Sequence, residues 1–323
     1  NMGICVACMV RDISGAVGLH RARAVQYIRP EIIGFVLGAL FAALAAREFR
    51  ARAGSAPIVR FMLGFFVMIG ALVFLGCPWR ALLRLAGGDG NAILGLVGMT
   101  AGVGIGILFI KSGFNLGRNY TTRVATGLIM PIIMVGLLVL LLWRPLLSSG
   151  VIFFSETGPG AQHAPIIITL LIAMTIGFLA QRTRFCTMGA IRDLILLKDN
   201  HLMSGVLALL GTAFLANLVL GQFSPGFADQ PVAHTDHLWN FGGMVLVGLA
   251  SVLAGGCPGR QLFLSGEGDG DGVVFVLGMF SGAAFAHNFA TASSSAGPAA
   301  WGPIAVIIGL IFCLIIGFSM RDS

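Results

Sequence analysis

Internal repetition is the feature that most restricts this chain. Gly76-Cys77-Pro78-Trp79-Arg80 returns 180 positions later as Gly256-Cys257-Pro258-Gly259-Arg260. The match runs on through Leu82 and Leu262, Gly88-Asp89-Gly90 and Gly268-Asp269-Gly270, Gly98-Met99 and Gly278-Met279, and Gly102 and Gly282, giving 11 identities in 27 gapless positions. Upstream, Cys5 followed by Arg11-Asp12 returns at an offset of 181 as Cys186 followed by Arg192-Asp193. A fixed period of this kind means two copies of one structural unit. The boundaries are read as 1–144 for the first copy, 145–163 for a polar Pro/Gly/Ser linker loop, and 164–323 for the second.

Each unit is a set of membrane helices. Apolar runs near 20 residues recur along the whole length, the length at which a helix crosses a bilayer. The chain is 57% hydrophobic and 10% charged, against about 25% charged for a soluble domain. The fold class expected is an all-α polytopic membrane protein with about nine transmembrane helices plus short half-helices, in two inverted repeats. Spans are expected near 30–46, 57–76, 91–110 and 124–143, then 164–181, 201–221, 240–256, 273–290 and 302–319. Short helices are expected within 3–19, 78–86, 184–198 and 258–265. The spacings Gly34-x3-Gly38, Gly98-x3-Gly102 and Gly278-x3-Gly282 read as helix-packing contacts. No soluble domain fits in the gaps, and six Cys in such a chain are not a secreted disulfide framework.

Between residues 30 and 201 the chain crosses five times, and an odd number inverts the second copy relative to the first. Loop charge gives the orientation. Arg47, Arg50, Arg52, Arg60, Lys111, Arg118, Arg123, Arg182, Arg184, Arg192 and Lys198 fall on one side, while the opposite loops 222–239 and 291–301 carry no Lys or Arg. The positive-inside rule makes the first side, and the C-terminus, cytoplasmic. The net charge of +7 is therefore in part topological and does not point to nucleic acid. Arg11, Arg21, Arg23 and Arg29 are exceptions, placed outside by this orientation. The first Cys motif lacks the preceding span that the second has at 164–181, so a segment upstream of Asn1 is expected.

The chemistry lies where each Cys meets an Arg. Pro after Cys77 and Cys257 favours a helix start there, and a helix N-terminus with free N–H groups attracts anions. Arg80 and Arg260 follow one turn in. Inverted repeats with broken helices aim such N-termini at an anion near the bilayer midplane. Adjacent Arg would repel a soft metal cation, so neither metal nor cofactor is expected, and a small inorganic anion with a soft atom that accepts weak S–H bonds suits the set better. Arg11 and Arg192 are open to two roles, anion contact or an Arg–Asp pair that holds a helix. The competing role for Arg80 and Arg260 is pairing with Asp89 and Asp269. Cys313 reads as a small buried hydrophobe, and Cys8 has no counterpart because Gly189 stands there. Cys77 and Cys257 are expected to approach each other across a central constriction.

Through Arg184-Phe185-Cys186, Ala254-Gly255-Gly256-Cys257 and their first-copy partners Cys5 and Gly76-Cys77, the chain resembles the YeeE/YedE family of membrane transporters over essentially its whole length. The resemblance implies a non-enzymatic carrier in a bacterial inner membrane, importing thiosulfate through an hourglass-shaped helical bundle. It implies a Cys relay made of Cys77, Cys186 and Cys257 with Cys5 as fourth member, and a small cytoplasmic sulfur- or selenium-carrier protein as partner. Gly-Cys-Pro-x-Arg replaces the family's usual Gly-Cys-Thr with downstream Gly-His, and is similar to the YedE branch associated with selenium. The rival reading is a membrane thiol–disulfide oxidoreductase, on the spacing of Cys5-Val6-Ala7-Cys8.

Overall fold

A computed structural model of the chain describes residues 3–143 and 152–321. The end of the first copy and the opening of the expected 145–163 linker lie outside the described residues.

Helix starts follow the prolines. Pro30, Pro57, Pro78 and Pro258 each stand in the first turn of a helix, where a missing N–H leaves nothing unsatisfied. The first copy comprises α1 (Val6–Ala16), α2 (Pro30–Ala45), α3 (Pro57–Phe74), α4 (Pro78–Ala86), α5 (Asn91–Lys111), the single turn α6 (Val124–Gly127) and α7 (Ile129–Leu142). The second comprises α8 (Ile166–Arg182), α9 (Thr187–Leu196), α10 (His201–Val219), α11 (His237–Leu253), α12 (Pro258–Gly266), α13 (Gly270–Asn288) and α14 (Gly302–Ser319). Among the described residues, seven helical runs are long and apolar enough to cross a membrane, and α2 and α7 are shorter apolar helices. The protein is thus an all-α polytopic membrane protein. The one sheet among the described residues is a two-residue antiparallel pair, β1 (Arg52–Ala53) with β2 (Tyr120–Thr121).

The two copies are interlocked. The most extensive packing joins α5 to α11, α2 to α8 and α3 to α13, one helix from each copy in every case. These contacts are reciprocal to the residue. A Cβ on Gly98 of α5 would run into the Phe241 carbonyl, and one on Gly278 of α13 into the Phe61 carbonyl. Gly102 meets the Val245 carbonyl as Gly282 meets that of Phe65. Each member of these pairs stands 180 positions from its counterpart. Contacts in which i meets j and j meets i are the mark of a two-fold relation. α2 and α8 approach in the same backbone-to-backbone way through Gly34, Gly38 and Gly177. The glycine spacings are therefore packing surfaces, used where small residues let membrane helices approach. Gly102→Leu and Gly282→Leu should each abolish a monodisperse peak in detergent gel filtration. Gly104→Leu should elute as wild type, because nothing lies within 4 Å of a Cβ built there.

Outward faces carry large apolar side chains, among them Leu108, Ile132, Ile167, Val219 and Ile315. Among the described residues most buried charged groups belong to the short helices or the turns beside them, and Asp271 lies in the first turn of α13.

Candidate functional site

The four short helices bring the Cys motifs together within each copy. Cys5 and Cys186 are helix N-caps in extended conformation, and their sulfurs accept the backbone N–H of Cys8 and Gly189, each at 3.2 Å. Cys77 and Cys257 also precede their helices, but Pro follows them and neither thiol caps its own helix. Their thiols lie instead beside the other motif, Cys77 next to Cys5 and Cys257 next to Cys186. The backbone N–H of Cys257 also reaches Cys186 Sγ at 3.4 Å. All five of these Cys, Cys8 included, are at most 5% exposed and none is in a disulfide. Each copy thus holds a dry pair of thiols between two helix N-termini, in the positive end of both dipoles.

The arginines divide unequally between the pairs. Arg80 is 1% exposed and donates from Nη1 to Cys8 Sγ at 3.4 Å. Its stem lies against Gly76, where a Cβ would stand 3.0 Å from Arg80 Cδ. Gly256 receives the stem of Arg260 in the same way, with a Cβ 3.1 Å from Cγ. The head of Arg260, however, pairs with Glu267, Nη1 to Oε1 at 2.9 Å. The expected alternative of Arg80–Asp89 and Arg260–Asp269 pairs is not what forms. Asp89 binds Arg84 at 2.6 Å and Asp269 binds Arg52 at 2.8 Å. Both acids also accept backbone N–H groups at the start of the next helix, so they fix the turn.

Arg11 and Arg192 sit on the neighbouring acids. Asp12, fully buried, accepts from Arg11 at 2.7 Å and from Arg29 at 2.6 Å. Arg29 extends further to the carbonyls of Pro159 and Gln162, tying α1 to the loop ahead of α8. The guanidinium of Arg21 stacks on Phe153 at 4.1 Å. Of the arginines placed outside by loop charge, Arg11 and Arg29 therefore serve a buried carboxylate. Arg192 bonds Asp193 at 2.8 Å in a more open setting.

Contact between the two Cys-Pro helices falls two residues beyond the thiols. The Trp79 ring occupies the space that a side chain at Gly259 would need. These positions are repeat counterparts, so their contact lies on the two-fold axis. Phe35, Phe185 and Phe263 enclose the indole, with ring centroids 5.8–6.0 Å apart. An aromatic plug thus fills the centre where Cys77 and Cys257 were expected to face each other. Among the described residues Trp79 Nε1 is buried with no hydrogen-bond partner, an uncommon state for a buried indole.

The two mouths also differ. At the end of α4 in the first copy is a cavity of about 250 Å³, lined by Gly3, Arg84, Gly87, Asp89, Asn217 and Gln230. Beside the second thiol pair is a run of charge. Glu267 binds Arg184 as well as Arg260, Arg184 binds Glu48 at 2.9 Å, and Glu48 binds Arg182 at 3.2 Å. Gln181 donates to Glu48 and, with Arg182 and Arg184, holds its carboxyl below the usual carboxylate range. Trp79, Arg84, Glu267 and Arg184 are absent from the sequence-derived set of site residues. All four stand where the copies differ, Trp79 against Gly259, Glu267 against Gly87, Arg184 against Gly3 and Arg84 against Leu264.

Comparison with known proteins finds similarity over part of the chain. A family model described as "Sulphur transport" matches residues 182–316, a stretch that includes Cys186, Cys257 and both of their arginines. A protein of Spirochaeta thermophila named thiosulfate transporter TsuA is 32% identical over 99 residues, 31% of this chain and 29% of that protein. A protein of the same name from Escherichia coli K12 is 30% identical over 103 residues, 32% of this chain and 29% of its own. The matched stretch thus spans under a third of each relative. With the repeated Cys motifs and the interlocked helical repeats, these matches show that part of the chain is similar to the sulphur-transport family and to proteins named thiosulfate transporter.

Proposed function

We propose that the protein is a membrane transporter for a small sulfur-containing dianion of the thiosulfate type, handed between two thiol pairs, one in each inverted copy. The observation that carries this reading is the pairing of Cys5 with Cys77 and Cys186 with Cys257 in dry pockets at opposed helix N-termini. Thiols that keep their protons donate weak S–H bonds to a terminal sulfur, while the helix ends and Arg80 balance the oxyanion charge. A desolvated dianion needs both.

The two copies lie inverted in the bilayer. Five apolar crossings between α2 and α10, with Lys and Arg concentrated on one side, support that arrangement. The bilayer is a bacterial inner membrane with the C-terminus cytoplasmic, and a small cytoplasmic carrier protein receives the anion. A selenium analogue of the same shape meets the same donors. Uptake of labelled thiosulfate into proteoliposomes, competed by sulfite and by selenite, tests the substrate class. Saturable thiosulfate uptake is expected, and none above protein-free vesicles rejects the reading.

Trp79 stands between the two pairs, and its unpartnered N–H is the donor that a passing anion meets. Trp79→Phe keeps the plug and removes that donor. A hydrogen bond to a charged group is worth roughly 1.5–3 kcal/mol, so the variant should transport about 10–100-fold more slowly with unchanged expression. Wild-type uptake rates in Trp79→Phe would remove Trp79 from the path.

A further inference from the structure

The run of charge beside the second thiol pair has the composition of a binding site that is already filled. Arg260 lies one turn from Cys257 and its stem touches Gly256. Arg184 stands two residues before Cys186. The guanidinium groups of both converge on one carboxylate, Glu267, with Oε1 taken by Arg260 and Oε2 by Arg184, each at 2.9 Å. Glu267 is 6% exposed, whereas the side chain of Arg184 is 48% exposed. The pair of cations therefore spans from the buried thiols to open solvent, with the acid between them. Glu267 caps the end of α12, and its carbonyl accepts Arg50 N–H at 3.1 Å, so its backbone is fixed while its side chain provides the contacts. Arg184 adopts a positive φ of 56°, a strained setting for a non-glycine residue, and that setting directs the chain into the turn before Cys186.

The first copy lacks this arrangement. Gly87 stands at the position of Glu267 and Gly3 at that of Arg184, and the neighbouring space is the 250 Å³ cavity. If Glu267 served only to close α12, its counterpart turn would need the same acid. Asp89 and Asp269 already fix both turns. The acid is specific to the mouth that also carries the two arginines.

We propose that Arg260 and Arg184 form an oxyanion station at the inner mouth, and that Glu267 is its resident internal anion, displaced when a small dianion passes from Cys257 to that mouth. Two guanidinium groups with planar forks suit an oxyanion head, and each presents donors in the plane where the carboxylate oxygens now lie. A bound carboxylate of the same charge sign competes for these donors. It keeps the cations neutralised between substrates and lowers the affinity of the station, so that an anion is released rather than held. Beyond the station, Glu48 and Arg182 repeat the same alternation of charge at the surface.

The station rests on the anion-transport reading for its purpose, and its test does not require the substrate. Cys257 is labelled with a methanethiosulfonate bearing an anionic sulfonate, or one bearing a cationic trimethylammonium group, applied from the side on which Arg182 and Arg184 are exposed. Modification is read peptide by peptide in the mass spectrometer. Glu267→Gln should raise the ratio of anionic to cationic labelling at Cys257 about tenfold, the size of effect a local charge has on capture of a charged reagent. Glu267→Asp should keep the wild-type ratio, and Arg184→Gln, with a cation removed, should lower it. An unchanged ratio in Glu267→Gln, or equal acceleration of both reagents, would mean that the triad only packs the loop and would overturn the proposal. Arg184→Gln provides the same decision should Glu267→Gln fail to fold: a ratio that does not fall rejects the station. Thiosulfate uptake by wild type alongside an unshifted ratio rejects the station alone. A shifted ratio in a protein that takes up no thiosulfate rejects the substrate class and leaves the station standing.

Discussion

Cys257→Ala should reduce thiosulfate uptake by about 10–100-fold while leaving yield and gel-filtration behaviour in detergent at wild-type levels. Cys257 stands at a helix start, donates its backbone N–H to Cys186 Sγ at 3.4 Å, and has its own thiol directed to that same sulfur. Removing the thiol takes one of its two S–H donors from the second pocket, while the backbone N–H groups of residues 257 and 189 still reach Cys186 Sγ. One lost contact to a dianion, at roughly 1.5–3 kcal/mol, gives a decrease of that order. The substitution deletes one buried sulfur and leaves no polar group stranded, so folding should be affected by only about 1 kcal/mol. Cys313→Ala is the internal control. Cys313 is equally buried, in an apolar stretch of α14, and its loss should leave uptake unchanged. Radiolabel uptake by both variants at matched protein density distinguishes the roles, and normal uptake by Cys257→Ala removes the relay at that residue.

The largest effect on stability should come from Asp12→Ala. Asp12 is the one acid that Arg11 and Arg29 share, and the side chains of Asp12 and Arg29 are at most 3% exposed. Deleting it strands two buried cations, a change that costs about 3–5 kcal/mol. The same substitution in the other copy, Asp193→Ala, breaks a half-exposed pair and should cost under about 1 kcal/mol. Thermal unfolding in detergent should show a large drop for the first and a small one for the second. Equal drops would mean that Asp12 carries no more than its counterpart.

Much of the helical layout is legible in the sequence, because prolines mark the starts and apolar length marks the spans. Pro30, Pro57, Pro78 and Pro258 open their helices as the first-turn rule requires. The pairing of the thiols is not legible. Residues 5 and 77 are 72 apart and only tertiary packing decides that they meet, whereas symmetry alone points to 77 with 257. The centre is hidden for a related reason. A repeat is recognised by its identities, and the residues that distinguish the two halves are the differences, Trp79 against Gly259 and Glu267 against Gly87. Arg84 is obscured by lying among leucines in α4, where its bond to Asp89 and its stacking on Phe74 at 4.3 Å appear only in three dimensions.

The meeting of Trp79 with Gly259 restricts how such a molecule can be assembled. An object on a two-fold axis must be its own mirror in the partner half, and an indole has no two-fold symmetry of that kind. Two identical halves would bring either a pair of indoles into the same volume or a pair of glycines around a void. Neither produces a single plug. A homodimer of half-length chains could reproduce the interlocked α5–α11 and α3–α13 packing in full, yet it could not build this centre. Covalent fusion is what allows one half to supply the bulk and the other the room for it, and only after that break in symmetry can the two mouths carry different charge.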